Sequence, residues 1–254
     1  MRSLNLLSLA LVAALSSASA WAADFSVSPT RAEISKQKPV ETLTLTSNED
    51  RDIYFEVNLL KWSQSNGGEW VTTPSKDLIA TPALVKMPAK GKGLLRVGFK
   101  PGEKPEMTSP ATEGAYRLVV RETEGPPPEP GVSRVQVLTE VNLPVFIEPT
   151  QVKADLSIGS AARSAQGVTL SVANTGNVRL QPQAVNVEFL DAAGKAVAPA
   201  ALDESGGAYV LAGSTVNWTL KWPAPSVCKA ATQVKVTFET HKKTVTTPLT
   251  GNCP

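Results

Sequence analysis

The chain of 254 residues holds two cysteines and one histidine, and it shows almost no apolar spacing of three and four. Each shortage excludes something. A lone histidine without a Cys/His cluster leaves zinc or copper nothing to be held by. His241, between Thr240 and Lys242, reads as a solvated turn residue. No G-x-S-x-G elbow, H-E-x-x-H pair or P-loop occurs. Ser35 to Lys38 fits S-x-x-K but lacks the companion motifs, and Lys90-Gly91-Lys92-Gly93 lacks the P-loop spacing and reads as a hairpin turn. Neither an enzyme nor a cofactor is expected. The formal net charge is only +2, so no strong field for nucleic acid or acidic lipid is implied.

Long hydrophobic runs are also scarce. The one present, Leu4 to Leu15, follows Arg2 and leads to Ala20-Trp21-Ala22-Ala23. It is about half the roughly 20 residues a membrane helix needs, so residues 1–22 read as a secretory signal peptide cleaved after Ala22. No later segment is apolar and long enough to span a bilayer, and no membrane insertion is expected. In an exported chain the two cysteines, Cys228 and Cys253, are expected to pair. Their bridge would close a loop of about 26 residues and contribute about 3 to 4 kcal/mol.

What the chain does contain is β-structure. Thr, Val and Ser abound between Gly and Pro punctuation. Strands are expected at Phe25 to Ile34, Val40 to Thr46, Ile53 to Trp62, Trp70 to Thr72, Ala83 to Met87, Gly93 to Phe99, Ala115 to Glu122 and Val132 to Ile147. A second set follows Pro149: Val152 to Ile158, Gly167 to Ala173, Ala184 to Leu190, Ala208 to Leu211, Ser214 to Trp222, Gln233 to Glu239 and Thr244 to Thr250. Turn clusters such as Asn66-Gly67-Gly68 separate them. The expected fold is all-β, two immunoglobulin-like β-sandwich domains over residues 23–149 and 150–254, joined with almost no linker and forming a cleft where they meet.

Val132 to Ile147 is the longest run readable as one strand. Val135, Val137, Thr139 and Val141 share one face at period two with Leu143 and Val145. Pro144 cannot donate to a ladder, which places that segment at a sheet edge or crossover. An apolar edge strand is an aggregation hazard unless covered or used. Parity tells which residues share a face and leaves open whether that face is outward or in the domain's own core.

Several stretches together resemble the periplasmic chaperones of chaperone-usher pilus assembly. They are Phe25-Ser-Val-Ser-Pro-Thr-Arg31, Thr42-Leu-Thr-Leu-Thr-Ser-Asn48, Val57-Asn-Leu-Leu-Lys-Trp62, Ile79-Ala-Thr-Pro-Ala-Leu84, Met87 to Val97, Tyr116 to Glu122, and the run ending Val145-Phe-Ile-Glu-Pro149. The resemblance covers the first half, and the second half adds a compatible pattern. It implies two immunoglobulin-like domains in a boomerang, a periplasmic location, pilus subunits and an outer-membrane usher as partners, and a strand lent to the subunit. On that reading Val135, Val137, Thr139 and Val141 are the subunit contacts. Self-association that caps the edge at rest stays open. The resemblance also implies a cleft Arg for the subunit's C-terminal carboxylate, matched by Arg31, whose planar fork suits the task. The family's Lys falls on Pro144, and the basic residue before the last Pro is Glu148. This departure points to a divergent, archaic-type branch, with Arg117 or Arg121 as a replacement cation. Alternatively, Arg121 pairs internally with a residue such as Glu122 or Glu148 and Arg117 is solvated. The other function considered is an exported structural or adhesive β-sandwich built into a surface fibre.

Overall fold

Period-two alternation of buried and exposed residues, clearest over Ile53 to Phe55 to Val57 and over Gly93 to Leu95 to Val97, builds the first half of the molecule from half-buried strands. A computed structural model describes residues 24–102, 105–123, 137–181, 185–202, 209–239 and 242–253. Residues 1–22, where a signal peptide is expected, and Val135 and His241 lie outside the described residues.

The first ten strands are β1 (Phe25–Ser28), β2 (Ala32–Ile34), β3 (Val40–Ser47), β4 (Ile53–Gln64), β5 (Trp70–Pro74), β6 (Leu78–Thr81), β7 (Leu84–Met87), β8 (Lys92–Phe99), β9 (Gly114–Glu122) and β10 (Glu140–Ile147). They form a four-stranded sheet in the order β1-β3-β8-β6 and a six-stranded sheet in the order β2-β10-β9-β4-β5, with β7 also on β4. Between the sheets lies a core that includes Leu43, Leu45, Phe55, Leu95, Leu118, Leu143 and Val145.

The second half comprises β11 (Leu156–Arg163), β12 (Gly167–Asn174), β13 (Val185–Leu190), β14 (Ala196–Leu202), β15 (Thr215–Lys221), β16 (Gln233–Phe238) and β17 (Lys243–Thr250). These close into a ring in the order β11-β12-β15-β14-β13-β16-β17 around Trp218, Phe189, Phe238 and their neighbours. Two short pairings complete the ring: Ala201 and Leu202 against Lys221 and Leu220, and Ala161 and Ala162 against Leu249 and Thr250. Cys228, in a helical turn at Pro225–Ala230, is bonded to Cys253, with their Cα atoms 5.8 Å apart. The bridge ties the C-terminal tail to the same half.

Several elements differ from expectation. The first strand is split: Phe25–Ser28 pairs with β3, whereas Ala32–Ile34 pairs with β10 in the other sheet. Pro29 between them has no N–H to offer a ladder, so the chain changes sheets there. β6 and β14 were not expected; the Ala-rich β14 has low strand propensity and owes its state to its neighbours. The second half's first strand starts at Leu156, four residues later than expected at Val152, and runs on to Arg163. Over Ala208 to Leu211, the described residues hold only a bridge between Val210 and Leu180. The long run Val132 to Ile147 is a paired strand only from Glu140 onward.

The halves meet over a third cluster: Trp62, Ala115 and Phe146 from the first, Tyr209 and Leu211 from the second. The tip of the β4–β5 hairpin also reaches across. The Gly67 N–H donates to Thr215 O at 3.3 Å, and Gly67 O accepts from the Asn217 N–H at 3.2 Å. At Gly68 a Cβ would stand 2.9 Å from Val216 Cγ1, and its φ of +99° suits glycine alone, so the close approach depends on that residue. Gln64 completes the contact, its Nε2 donating to Tyr209 O at 2.7 Å and its Oε1 accepting from the Leu211 N–H at 2.8 Å.

Candidate functional site of an open strand edge and a basic cleft

Hydrogen-bond alternation defines which side of β10 is open. The Glu122 N–H donates to Thr139 O, and β10 runs antiparallel to β9 with Glu140 opposite Arg121. In such a ladder alternate residues bond to the same neighbour, so Val141, Leu143 and Val145 bond toward β9 while Glu140, Asn142, Pro144 and Phe146 point to the other side. On that side β2 pairs only with Val145 to Ile147, and the Glu148 N–H donates to Ile34 O. Among the described residues no strand covers the edge at Glu140 and Asn142. Pro144 stands where the covered edge becomes the open one. Its missing N–H faces the edge, so the position costs the β9 ladder nothing.

The side chains divide by the same parity. Leu143 and Val145 are buried in the first core and Val141 packs against it in part. Thr139 is half-buried, while Val137 and Leu138 are 41% and 38% exposed. The valine face is thus a continuation of the core face. At Val141 it has core beneath it, and by Val137 it has become exposed.

The cleft lies where Arg31, between β1 and β2, faces Tyr209 of the second half. Arg31 Nε contacts Glu33 Oε1 at 2.9 Å and Nη1 donates to Tyr209 Oη at 3.4 Å. The Tyr209 hydrogen bond, with help from the Glu33 charge, raises the Arg31 pKa in spite of partial burial, so the side chain is cationic at any physiological pH. Arg31 lines a cavity of about 530 Å³ with Thr30, Glu33, Lys38, Gln181 and Tyr209. Glu33 is shared with Arg179 of the second half, which also pairs with Glu113 and stacks 3.9 Å over the Phe146 ring. Burial pushes the Glu113 carboxyl pKa up, against the pull of Arg179.

Arg117 is not solvated: it is 4% exposed, with its guanidinium carbon 3.7 Å from the Trp62 ring centroid and 3.8 Å from that of Trp70. Contact with both rings, which are themselves edge to face with centroids 5.2 Å apart, offsets part of the cost of burying a charge. Its Nε has no partner, and no carboxylate among the described residues pairs with it. Burial pulls its pKa down to about 10, which leaves it charged at neutral pH. It lies opposite Pro144 in the ladder, beside the Trp62, Phe146 and Tyr209 cluster. Arg121 pairs with Glu140 at 2.6 Å, not with Glu122 or Glu148. Arg31, Arg117 and Arg179 thus gather around Glu33 and Glu113 at the interface, an excess of one positive charge among these five side chains, of which Arg31 and Glu33 line the cavity beside the Lys38–Glu41 pair. Such a site suits an anion.

Residues 24–153 match the model of the pili and flagellar-assembly chaperones, PapD N-terminal domain. The chain belongs to this chaperone family. Its fold is similar to that of the class 5 fimbriae chaperone CfaA, at 14% identity over 90% of this chain and 100% of that one, with a TM-score of 0.58. It is also similar to a chain of the CsuC–CsuE chaperone–tip adhesion subunit pre-assembly complex, from archaic chaperone-usher Csu pili of Acinetobacter baumannii: 15% identity, 89% and 98% coverage, TM-score 0.55. The E. coli chaperone DraB is 20% identical, with 91% and 97% coverage and a TM-score of 0.51. Identities this low speak for a shared fold. No curated protein matches the sequence.

In this pilus chaperone the cleft holds several residues that sequence reasoning did not single out: Tyr209, Arg179, Glu33, Glu113 and the Trp62–Trp70 pair. Period two on β4 and β5 does set Trp62 and Trp70 on the sheet's outer face, but nothing in the sequence says that Arg117 packs against both. Tyr209 and Arg179 come from loops of the other half, for which local periodicity carries no signal. Ser35 and Lys38, the S-x-x-K match, form a turn in which the Lys38 N–H donates to Ser35 Oγ at 3.1 Å.

Proposed function

We propose that this chaperone acts in the periplasm without catalysis, holding pilus subunits folded by lending them the strand segment that enters β10 and passing them to an outer-membrane usher. The observation that carries the reading is the open edge at Glu140 and Asn142, from which a valine face runs on past the end of its own core. A subunit lacking a strand would pair with the free N–H and C=O groups of Glu140 and Asn142 and take Val135, Val137, Thr139 and Val141 into its groove. Each valine fully buried contributes about 1.5 to 3 kcal/mol as an upper bound and each main-chain hydrogen bond about 0.5 to 1.5 kcal/mol. Val141, already packed in part on this core, contributes less than the others.

Arg31 is the proposed anchor for the subunit's terminal carboxylate, with Arg117 as the second cation in place of the Lys that Pro144 lacks. Arg117 acts by its field more than by contact, because it is buried against the Trp62 and Trp70 rings. The fibre-subunit reading is not taken up, since the family is one of assembly chaperones.

The test is co-expression in the periplasm with a candidate subunit, followed by co-purification. The subunit is expected to accumulate only alongside this protein. Equal accumulation with and without it would sink the reading.

A further inference from the structure

The ladder between β9 and β10 ends in an unusual way. A hydrogen-bonded antiparallel pair normally exchanges two main-chain bonds. Between Glu122 and Thr139 only one is main chain to main chain: the Glu122 N–H donates to Thr139 O at 2.8 Å. The Thr139 N–H donates instead to Glu122 Oε2, at 3.2 Å. The other carboxylate oxygen, Oε1, accepts from Arg51 Nη2 at 3.0 Å. The Glu122 side chain is 1% exposed, so the carboxylate is buried with both oxygens engaged. Arg51, from the turn before β4, is its one ion-pair partner among the described residues.

The Thr123 N–H donates to Tyr54 O at 2.9 Å and its Oγ1 donates to the same oxygen at 3.2 Å. This continues the β4 side of the strand, where Arg121 and Val119 also bond, since alternate residues of β9 face alternate neighbours. On the opposing chain, Leu138 and Val137 have no ladder partner among the described residues and are exposed. Among the described residues the last bonds of the ladder are those at Thr139, where a side chain has taken the place of the main-chain acceptor.

We infer that Glu122, held in place by Arg51, is the positioning residue that ends the β9–β10 ladder at Thr139 and sets the point from which the lending segment leaves the sandwich. A carboxylate oxygen is a stronger acceptor than a carbonyl. Its burial and its salt bridge hold it in one rotamer, so the exit point is fixed by a single side chain. Without it, Thr139 would either fray or continue the ladder, and the valine face would leave the core at a different residue. The functional consequence rests on the strand-lending reading, whereas the structural part does not.

The two parts have separate readouts. Amide exchange on the free protein tests the clamp alone, comparing Thr139 with Leu143 and Val145, which bond to β9 further along. Glu122→Ala is expected to speed exchange at Thr139 by about tenfold or more and to leave Leu143 and Val145 within about threefold of the parent. Glu122→Gln, which keeps an acceptor and the side-chain volume, is expected to restore most of the Thr139 protection. Unchanged exchange at Thr139, or equal loss at Thr139 and Val145, would overturn the clamp; the second result would make Glu122 a general stabiliser. If Glu122→Ala does not fold, Arg51→Ala carries the comparison against Glu122→Gln and is expected to loosen Thr139 selectively. For the lending part, the co-expressed subunit that the parent captures is expected to be recovered about tenfold less with Glu122→Ala at equal chaperone level, and Glu122→Gln is expected to rescue it. Full capture with a loosened Thr139 would overturn that part and leave the clamp standing.

Discussion

The two halves of this chaperone handle their strand edges in opposite ways. The second half brings seven strands into a closed ring, seals it with two pairings of two residues each, and fastens its last residues with the Cys228–Cys253 bond. The first half leaves edges open: β1, β5 and β6 each pair on one side, and β10 is uncovered at Glu140 and Asn142. Open edges are ordinarily avoided because they recruit other chains. That one half removes them and the other keeps one beside a basic cleft assigns the halves different work. The ring is a platform that contributes Tyr209 and Arg179 to the interface, while the open sandwich offers a strand.

The contrast can be broken or sharpened by experiment, and the largest effect is expected at the edge. Val137→Asp puts a carboxylate where an apolar groove would close over it, an unpaired charge whose burial costs several kcal/mol, so subunit capture should disappear while the free protein's melting temperature holds. A lowered melting temperature would place Val137 in this chain's own core and remove the contrast. Next in size, Cys228→Ser should cost about 3 kcal/mol in the second half, seen by calorimetry, and leave the first half's edge able to capture. Loss of capture would mean that the ring does more than support. Third, Arg31→Ala should weaken capture by roughly 2 kcal/mol, about thirtyfold, as expected for losing a charge-assisted contact to a carboxylate. Unchanged capture would move the anchoring role to Arg117 or Lys38. Smaller still, Trp70→Ala removes one of the two rings stacked on Arg117 and should lower stability by about 1 kcal/mol in thermal unfolding.

The smallest effect concerns acid. Lys243 Nζ donates to Asp155 Oδ1 at 2.6 Å and holds that carboxyl down to about 2, below its ordinary 3.8. A depressed acid stabilises the fold above its unfolded value, and the contribution is lost as pH falls from about 4 toward about 2. Asp155→Asn should flatten the acid limb of second-half stability. Glu113, at the interface, works the other way: burial raises its pKa, so its contribution falls as pH rises through its titration. Stability against pH, followed by near-ultraviolet signals from Trp62 for the interface and Trp218 for the ring, would separate the two.

Much of the fold was legible because strands of this kind announce themselves locally. Alternation over Ile53 to Trp62 and Gln233 to Phe238 follows from one face meeting a core and the other meeting water, and turn residues such as Asn66-Gly67 mark where the direction reverses. The failures are also local in origin. Ala196 to Leu202 has little β-propensity and is a strand because β13 and β15 flank it. Phe25 to Ile34 reads as one run, yet the split at Pro29 depends on which sheet each side reaches. Of the candidate site, Arg31 and the valine register could be read from the chain. Tyr209 lies 178 positions from Arg31, and no spacing rule spans that separation.

By itself the sequence determined an all-β chain in two sets of strands, with a valine face on its longest run. Those properties follow from composition and from a period of two. Only the tertiary structure decided that this face is continuous with the core at Leu143 and exposed at Val137, that Pro144 faces the open edge, and that Arg117 is buried against two tryptophans. Each depends on which strands become neighbours, and hydrogen-bond register and burial have no value until that pairing is made.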